Sequence, residues 1–237
     1  VNSDMSYMTT VGEMEAVAKA LSYKYEPQEM LQGSVFMPYS GLHISKDRDV
    51  HFNVKGYSRY IWDYEAATGQ NVYGRWMSNG HLEFFDFRNG NRSFNPSEET
   101  YDWNHITGTT SKVLPLKRLT YNGKTTDHRN YSDQSFLAGV HGAEKASMFS
   151  VRLHDVYMDS TFRADKSYFF FEDMVLCLGS GVSCSDRKHP VATTLFQDFK
   201  GAGKQKGEGL YEDASFAYVV KQGKVLLTKE GKRTIAY

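Results

Sequence analysis

The absences in this chain exclude more than its contents assert. Twenty-eight basic and 28 acidic side chains cancel over 237 residues, so no global field draws it toward nucleic acid or an anionic membrane surface. No apolar run approaches the roughly 18 residues that a spanning helix needs. Cysteine is scarce: Cys177 sits in an apolar, strand-like run, which favours two separate thiols over a bridge to Cys184. Eight histidines are scattered without HxH, HExxH or paired-cysteine spacing, which argues against a zinc site. No glycine-rich phosphate loop follows a strand and no GxSxG elbow occurs, so nucleotide enzymes and serine hydrolases fall back. No cofactor is evident, and the sequence is silent on a structural divalent cation.

What is present is aromatic. Sixteen Tyr and 15 Phe bring the aromatic share to 14%, in a chain that is 40% hydrophobic and 24% charged, a globular balance with a bias toward half-buried pleated surfaces. Val11, Met14, Val17, Ala18 and Leu21 recur at spacings of three and four and predict a helix that ends before Pro27. Beyond it the period becomes two. Leu42-Ile44, Val50-Phe52-Val54 and Phe149-Val151-Leu153 alternate with polar neighbours, the last against Ser150, Arg152 and His154. Such segments predict antiparallel strands with one buried and one exposed face.

Asn89-Gly90, Asn122-Gly123, Gly179-Ser180-Gly181 and Gln222-Gly223 read as turns between strands. Ser167 to Leu178 and Val191 to Phe199 are nearly continuous apolar or β-branched runs, expected to be covered on both faces, which calls for stacked sheets. Lys200 to Gly209 reads as a mobile loop. There is no internal repeat. The expected organisation is a helical remnant or linker over residues 1–30, followed by a mainly β, antiparallel multi-sheet sandwich over 31–237. The chain opens on Val1 and closes on the strand-like Thr234-Ile235-Ala236-Tyr237, so both ends read as cuts in a longer protein.

Three clusters combine rings with amide and guanidinium donors: Tyr57-Ser58-Arg59-Tyr60-Ile61-Trp62, Asn71-Val72-Tyr73-Gly74-Arg75-Trp76 and Tyr101-Asp102-Trp103-Asn104-His105. Rings that stack on sugars, beside donors for hydroxyls and carboxylates, suit carbohydrate recognition. The same rings also suit the core of a β-rich domain, which is the reading that composition alone favours.

The order of the motifs points further. Asp49-Val50-His51-Phe52-Asn53-Val54-Lys55-Gly56-Tyr57 comes first, then Gln70-Asn71-Val72-Tyr73-Gly74-Arg75-Trp76 with Ser78-Asn79-Gly80. Tyr101-Asp102-Trp103-Asn104 follows, with Thr107-Gly108-Thr109-Thr110 and Leu114-Pro115-Leu116. Gly139-Val140-His141-Gly142-Ala143-Glu144, Leu178-Gly179-Ser180-Gly181-Val182 and Thr193-Thr194-Leu195-Phe196-Gln197 complete the set. In this order the chain resembles the central domain of polysaccharide lyase family 8, the chondroitin and hyaluronate lyases, and its Tyr-Gly-Arg and Asp-Trp-Asn forms are closer to the chondroitin ABC branch.

The resemblance implies a β-supersandwich of the galactose mutarotase-like kind. It also implies β-elimination at a uronic acid, with the His, Tyr and assisting Arg supplied by a helical toroid that precedes the β-domain. Within this chain it maps one catalytic-site residue, Glu144, as a carboxylate that orients the His or Arg of that domain; Ala143 and Lys145 flank it where the family usually has Leu and Gly. Arg75 and Tyr73 are candidate substrate ligands, with an Arg closing a turn network as the equal alternative for Arg75. His141 is a candidate lining the loop of Glu144, while Trp103, Asn104 and His105 read as structural. The implied partners are an acidic glycosaminoglycan and the helical domain of the same polypeptide, with no nucleic acid and no membrane. The implied residence is periplasmic or secreted. A non-catalytic carbohydrate-binding β-sandwich is the alternative from another class.

Overall fold

The computed structural model describes residues 11–22, 32–66, 71–88, 101–120, 129–142, 146–197, 203–213 and 215–227. The chain divides into two compact units, Val1–Leu31 and Gln32–Tyr237. In the first, Val11–Ser22 form helix α1, over the stretch where the three-and-four spacing predicts one. The second unit is mainly β, and every strand pairing among its described residues is antiparallel.

Two four-stranded sheets carry the second unit. One is a meander of β1 (Gly33–Met37), β2 (Leu42–Asp47), β3 (Val50–Lys55) and β4 (His81–Asp86). A two-stranded sheet pairs β5 (Thr110–Lys112) with β10 (Val191–Thr193). The second large sheet runs β6 (Leu137–His141), β7 (Ala146–His154), β8 (Arg163–Phe171) and β9 (Met174–Ser183). Three short strands, β11 (Lys204–Gly207), β12 (Leu210–Glu212) and β13 (Ala217–Val219), form a further small sheet, so part of the expected loop at 200–209 is strand.

The large sheets pack face to face. Val50, Phe52 and Val54 of β3 and Leu82 of β4 share one core with Phe149, Val151 and Leu153 of β7 and Ala164, Tyr168 and Phe170 of β8. Phe52 and Phe170 meet at 6.0 Å between ring centroids, and each such fully buried ring stabilises the fold by about 2 kcal/mol. A second cluster gathers Trp76, Tyr101, Ile106, Leu114 and Leu119 around the irregular connections. Of the aromatic clusters, therefore, Tyr57, Trp76 and Tyr101 are core.

Four expectations are corrected. In β2 the alternation is real but its face is reversed: His43, Ser45 and Asp47 are buried, while Leu42 and Ile44 are half-buried. Register decides this, because His43 pairs with Val54 and Ser45 with Phe52, which puts the polar set on the inner face. Ser150 and His154 of β7 are buried as well, leaving Arg152 as the exposed member of that trio. Their hydroxyl and ring find partners inside, as with Ser150 Oγ to Ser167 Oγ at 2.8 Å.

The apolar run from Ser167 is not one strand covered on both faces. It is a hairpin, in which Phe171 pairs with Met174 and Glu172 adopts φ 48° at the turn. The outer side of β9 is open, with Leu176 48% exposed and Met174, Leu178 and Phe171 similar. Gly179-Ser180-Gly181 is not a turn either. It lies inside β9, where the register gains one residue against Arg163 and Asp165 and Gly181 takes φ 59°, as a bulge requires. Cys177 and Cys184 are free thiols, as their strand context implied. Asn89-Gly90, Asn122-Gly123 and the C-terminal Thr234–Tyr237 lie outside the described residues.

Gly108 has φ 80°, and a Cβ there would stand 2.5 Å from Leu82 Cβ and 2.7 Å from Leu82 N. Gly108→Ala is expected to destabilise the second unit by about 2–3 kcal/mol, from left-handed strain plus overpacking against backbone. Gly179→Ala, with no atom within 4 Å, is expected to stay within about 0.5 kcal/mol of the parent. Urea unfolding of the pair checks both, and equal midpoints would refute the packing argument.

Candidate functional site

Motifs separated in sequence are joined in space. Gly80 N donates to Lys55 O and Thr110 N to Asn79 O, while Gly108 N donates to Thr194 O and Thr194 N to Thr109 O. The Ser-Asn-Gly, Thr-Gly-Thr-Thr and Thr-Thr-Leu-Phe-Gln segments are therefore one hydrogen-bonded junction. Tyr168 Oη, from the middle of β8, donates to Gly80 O at 2.7 Å, and Lys166 Nζ donates to Gly108 O. Gln197 extends the junction to the Tyr101–His105 turn: its Oε1 accepts from Asp102 N at 3.0 Å, and its Nε2 donates to His105 O at 2.5 Å. Within that turn Asn104 makes paired bonds with the backbone of Leu114, at 2.8 and 2.9 Å, and His105 Nδ1 meets Asp102 Oδ2 at 2.8 Å. Asn104 and His105 thus do the structural work expected of them.

The expected site residues do not form one constellation. Arg75 sits in a short 3-10 turn, Gly74–Trp76, and is only 5% exposed. Its Nε donates to Leu119 O at 3.1 Å, which ties two turns together as the turn-network alternative describes. Tyr73 is half-buried, its ring 6.3 Å from that of Trp103. His141 is exposed at the end of β6, paired with Ser147 of β7 in the same sheet. Glu144 lies outside the described residues. Its chain neighbours Gly142 and Ala146 are joined by a 2.8 Å bond from Gly142 N to Ala146 O.

A feature that sequence reasoning missed lies at the opposite end of β7. Residues 57–63, 129–134 and 154–157 converge on a recess whose lining includes Tyr57, Asp63, Arg75, Trp76, Asp155 and Tyr157. Asp63 N donates to Asn130 O and Arg59 N to Gln134 O, while Asp63 Oδ1 accepts from Asn130 N at 3.0 Å. Buried His154 anchors the third segment. Its Nδ1 lies 2.6 Å from Asp133 Oδ1 and its Nε2 2.9 Å from Ser160 O. Free space in the recess is about 20 Å³, enough for one water or one hydroxyl group. The only advance signal was the ring-and-Arg cluster at 57–62; nothing in the spacing joined it to 129–134 or 154–157.

Several buried groups have displaced pKa values. Burial pushes the Lys166 amine down to about 7 and Lys55 down to about 8. His43, stacked on Phe170 at 5.0 Å and bonded to Ser147 Oγ at 2.9 Å, is lowered to about 4, first by burial and then by His141. Lys112 Nζ bridges Asp159 at 2.5 Å and Asp186 at 2.8 Å. Burial opposes ionisation of Asp159, but bonds from Lys112, Thr161 and Cys184 outweigh it and hold that carboxyl well below the usual range. No group of three or more His, Cys, Asp or Glu able to hold a metal occurs among the described residues. Nor does any described helix have the length and apolarity to cross a membrane.

A mainly β unit of stacked antiparallel sheets, with its sequence motifs knitted into one junction, defines a class of domain that known proteins share. The family model for the polysaccharide lyase family 8 super-sandwich domain matches residues 40–228, and the chain belongs to that family. It is 32% identical over 209 residues to a chondroitin sulfate ABC exolyase of Bacteroides thetaiotaomicron, covering 81% of this chain and 20% of that protein. Against a chondroitin sulfate ABC exolyase of Proteus vulgaris it is 34% identical over 150 residues, 60% of this chain and 15% of that one. The chain thus spans about a fifth or less of the curated relatives it matches. A solved chondroitin AC lyase of Streptomyces coelicolor A3, in complex with chondroitin sulphate, shares the fold with a TM-score of 0.69 at 20% identity, over 88% of this chain and 28% of that one.

Lys166 supplies a pH test of the junction. Its amine releases the proton near pH 7 when folded but only near 10.4 in an unfolded chain. Between those values the unfolded state holds more protons, so this group makes stability rise with pH and weighs against folding below about 7. The parent is expected to gain roughly 2 kcal/mol more than Lys166→Met between pH 7 and 9, at up to about 1.4 kcal/mol per pH unit. Urea unfolding of both proteins across that window checks it; parallel curves would show the amine to be solvated.

Proposed function

We propose that this chain is the central β-domain of a glycosaminoglycan lyase acting by β-elimination on chondroitin- or hyaluronan-type chains, and that it forms one wall of the substrate cleft. Membership of the lyase family over residues 40–228 carries the reading. Its relatives are chondroitin sulfate ABC lyases and, at 27% identity over 150 residues, a hyaluronate lyase of Staphylococcus aureus.

In such a reaction the C5–H bond of the uronate breaks and its proton passes to a base. The C4–O bond breaks as the C4=C5 double bond forms, and the departing oxygen takes a proton from an acid. Charge building beside the carboxylate must be neutralised by nearby donors. The acid and base belong to a helical domain of the same polypeptide, and Glu144 orients its His or Arg; a bare carboxylate beside an anionic uronate would repel it. Arg75, Tyr73 and His141 are the candidate substrate-side residues. The burial of Arg75 makes it a residue that holds the Tyr73–Trp76 turn in place, acting on substrate through that turn. The intact enzyme works in the periplasm or outside the cell.

Incubated alone with chondroitin sulfate, the 237-residue chain is expected to generate no unsaturated uronate absorbance, because positioning without acid and base leaves little catalysis. In the intact enzyme, Glu144→Gln is expected to lower kcat at least a hundredfold while KM changes less than threefold. Strong turnover by the chain alone, or normal turnover by the variant, would overturn these assignments.

A further inference from the structure

Among the described residues, Arg48, Asn71 and Glu172 take a left-handed backbone without being glycine. Arg48 and Glu172 sit in the two-residue tips of the β2–β3 and β8–β9 hairpins, where a tight reversal of the chain calls for that conformation. Asn71, at φ 51°, lies instead in the long connection between β3 and β4, just before the 3-10 turn Gly74–Trp76. A backbone outlier with no hairpin to account for it points to what its side chain holds in place.

The Asn71 carboxamide is held on two sides. Its Nδ2 donates to Glu65 O at 2.9 Å. Its other side lies against Gly74, where the three atoms nearest to a Cβ would all belong to the Asn71 side chain. Gly74 is not itself left-handed, so the room that this carboxamide occupies, rather than backbone freedom, is what calls for a glycine there. Gly74 N also donates to Asn71 O at 3.2 Å, which starts the turn.

A second clamp works from the far side of that turn. Ser78, fully buried, donates its hydroxyl to Asp63 O. Two side chains flanking the Tyr73–Trp76 stretch thus grip carbonyls two residues apart in one segment, Asp63 to Glu65. The back of the turn is fixed by buried bonds, from Ser78 and from Arg75 to Leu119 O. Its front edge is fixed by the solvent-facing bond from Asn71. An exposed hydrogen bond adds little to stability, so what this one supplies is geometry.

We infer that Asn71 is a positioning residue for the proposed elimination: its carboxamide locks the Tyr73–Trp76 turn to the Asp63–Glu65 segment, so that Tyr73 meets the substrate in one fixed place. The inference rests on the lyase reading and on its assignment of Tyr73 to the substrate side. It goes beyond that reading in naming a residue that acts through the turn, and in pairing Asn71 with Gly74 as the two halves of one contact. A misplacement of about 1 Å at a reacting centre can cost about a hundredfold in rate.

The test is steady-state kinetics of the intact enzyme on chondroitin sulfate, read by unsaturated uronate absorbance, with a melting curve for every variant. Asn71→Asp keeps the left-handed turn and the side-chain shape but removes the donor to Glu65 O. Gly74→Ala leaves Asn71 in the sequence and displaces its carboxamide with a methyl group. Each is expected to lower kcat about tenfold or more, with KM within about threefold of the parent and Tm within about 2 °C. Because both break one contact, the double variant is expected to be no slower than the slower single variant. Normal kcat in Asn71→Asp, or losses that multiply in the double variant, overturns the inference. So does a fall in kcat that tracks a fall in Tm across the variants, which would make the bond merely structural. An intact parent that yields no unsaturated product overturns the lyase reading and this inference together, whereas an active parent with indifferent variants overturns this inference alone.

Discussion

The second unit depends on two backbone carbonyls held from below. Gly80 and Gly108 both take left-handed φ values, and their carbonyl oxygens receive the tips of Tyr168 and Lys166 from β8. Both donors are buried, with Lys166 4% exposed. Two long side chains thus cross the core to satisfy acceptors that would otherwise be orphaned under the loops. That constraint explains why glycine recurs at these positions. A Cβ on Gly80 would stand 2.3 Å from the Tyr168 hydroxyl, so the side chain that satisfies the carbonyl also forbids any other residue there. Through Gly108 N to Thr194 O the same contact fixes the β5–β10 pair, and through Gln197 it reaches the Tyr101–His105 turn.

A sheet that admits polar residues to its inner face must satisfy them across the gap, and this one largely does. His43 of β2 reaches Ser147 of β7, and Tyr57 Oη donates to His154 O at 3.2 Å. Such bonds add little net stability apiece, about 1 kcal/mol, but a slip of one residue would leave each partner buried and unpaired. They therefore act on register more than on total stability, where hydrophobic alternation alone tolerates neighbouring alternatives.

Legibility in the sequence followed the range of the interaction. Helix α1 and strands β3 and β7 were readable because their apolar residues repeat locally. The face of β2 was not, because Leu42 and Ile44 outrank His43 on any hydropathy scale, while the choice was made by pairing with Phe52 and Val54. Glycines at 179 and 181 looked like a turn because a bulge and a turn use the same left-handed conformation. The family motifs were legible as an ordered series, but their meaning was not. Asn79 bonds to Thr110, Gly108 to Thr194 and Gln197 to Asp102 and His105, so the motifs meet one another over sequence separations of up to 95 residues. Among the candidate site residues, Glu144 rests on resemblance alone and lies outside the described residues, and the burial of Arg75 depended on Leu119, 44 residues away.

A sandwich of antiparallel strands gathers its connections at two ends, and binding residues concentrate on such connections. Strand β7 runs nine residues from Ala146 to His154, about 27 Å at the usual rise. His141 and Gly142 lie at one end, and the recess beside His154 lies at the other. The two ends keep a constant spacing only if the element between them is rigid. Sheet β6–β9 supplies that rigidity, because β7 is paired along its whole length with β8 and carries Phe149, Val151 and Leu153 in the core. The alternation that was legible first thus also sets the distance between the two ends.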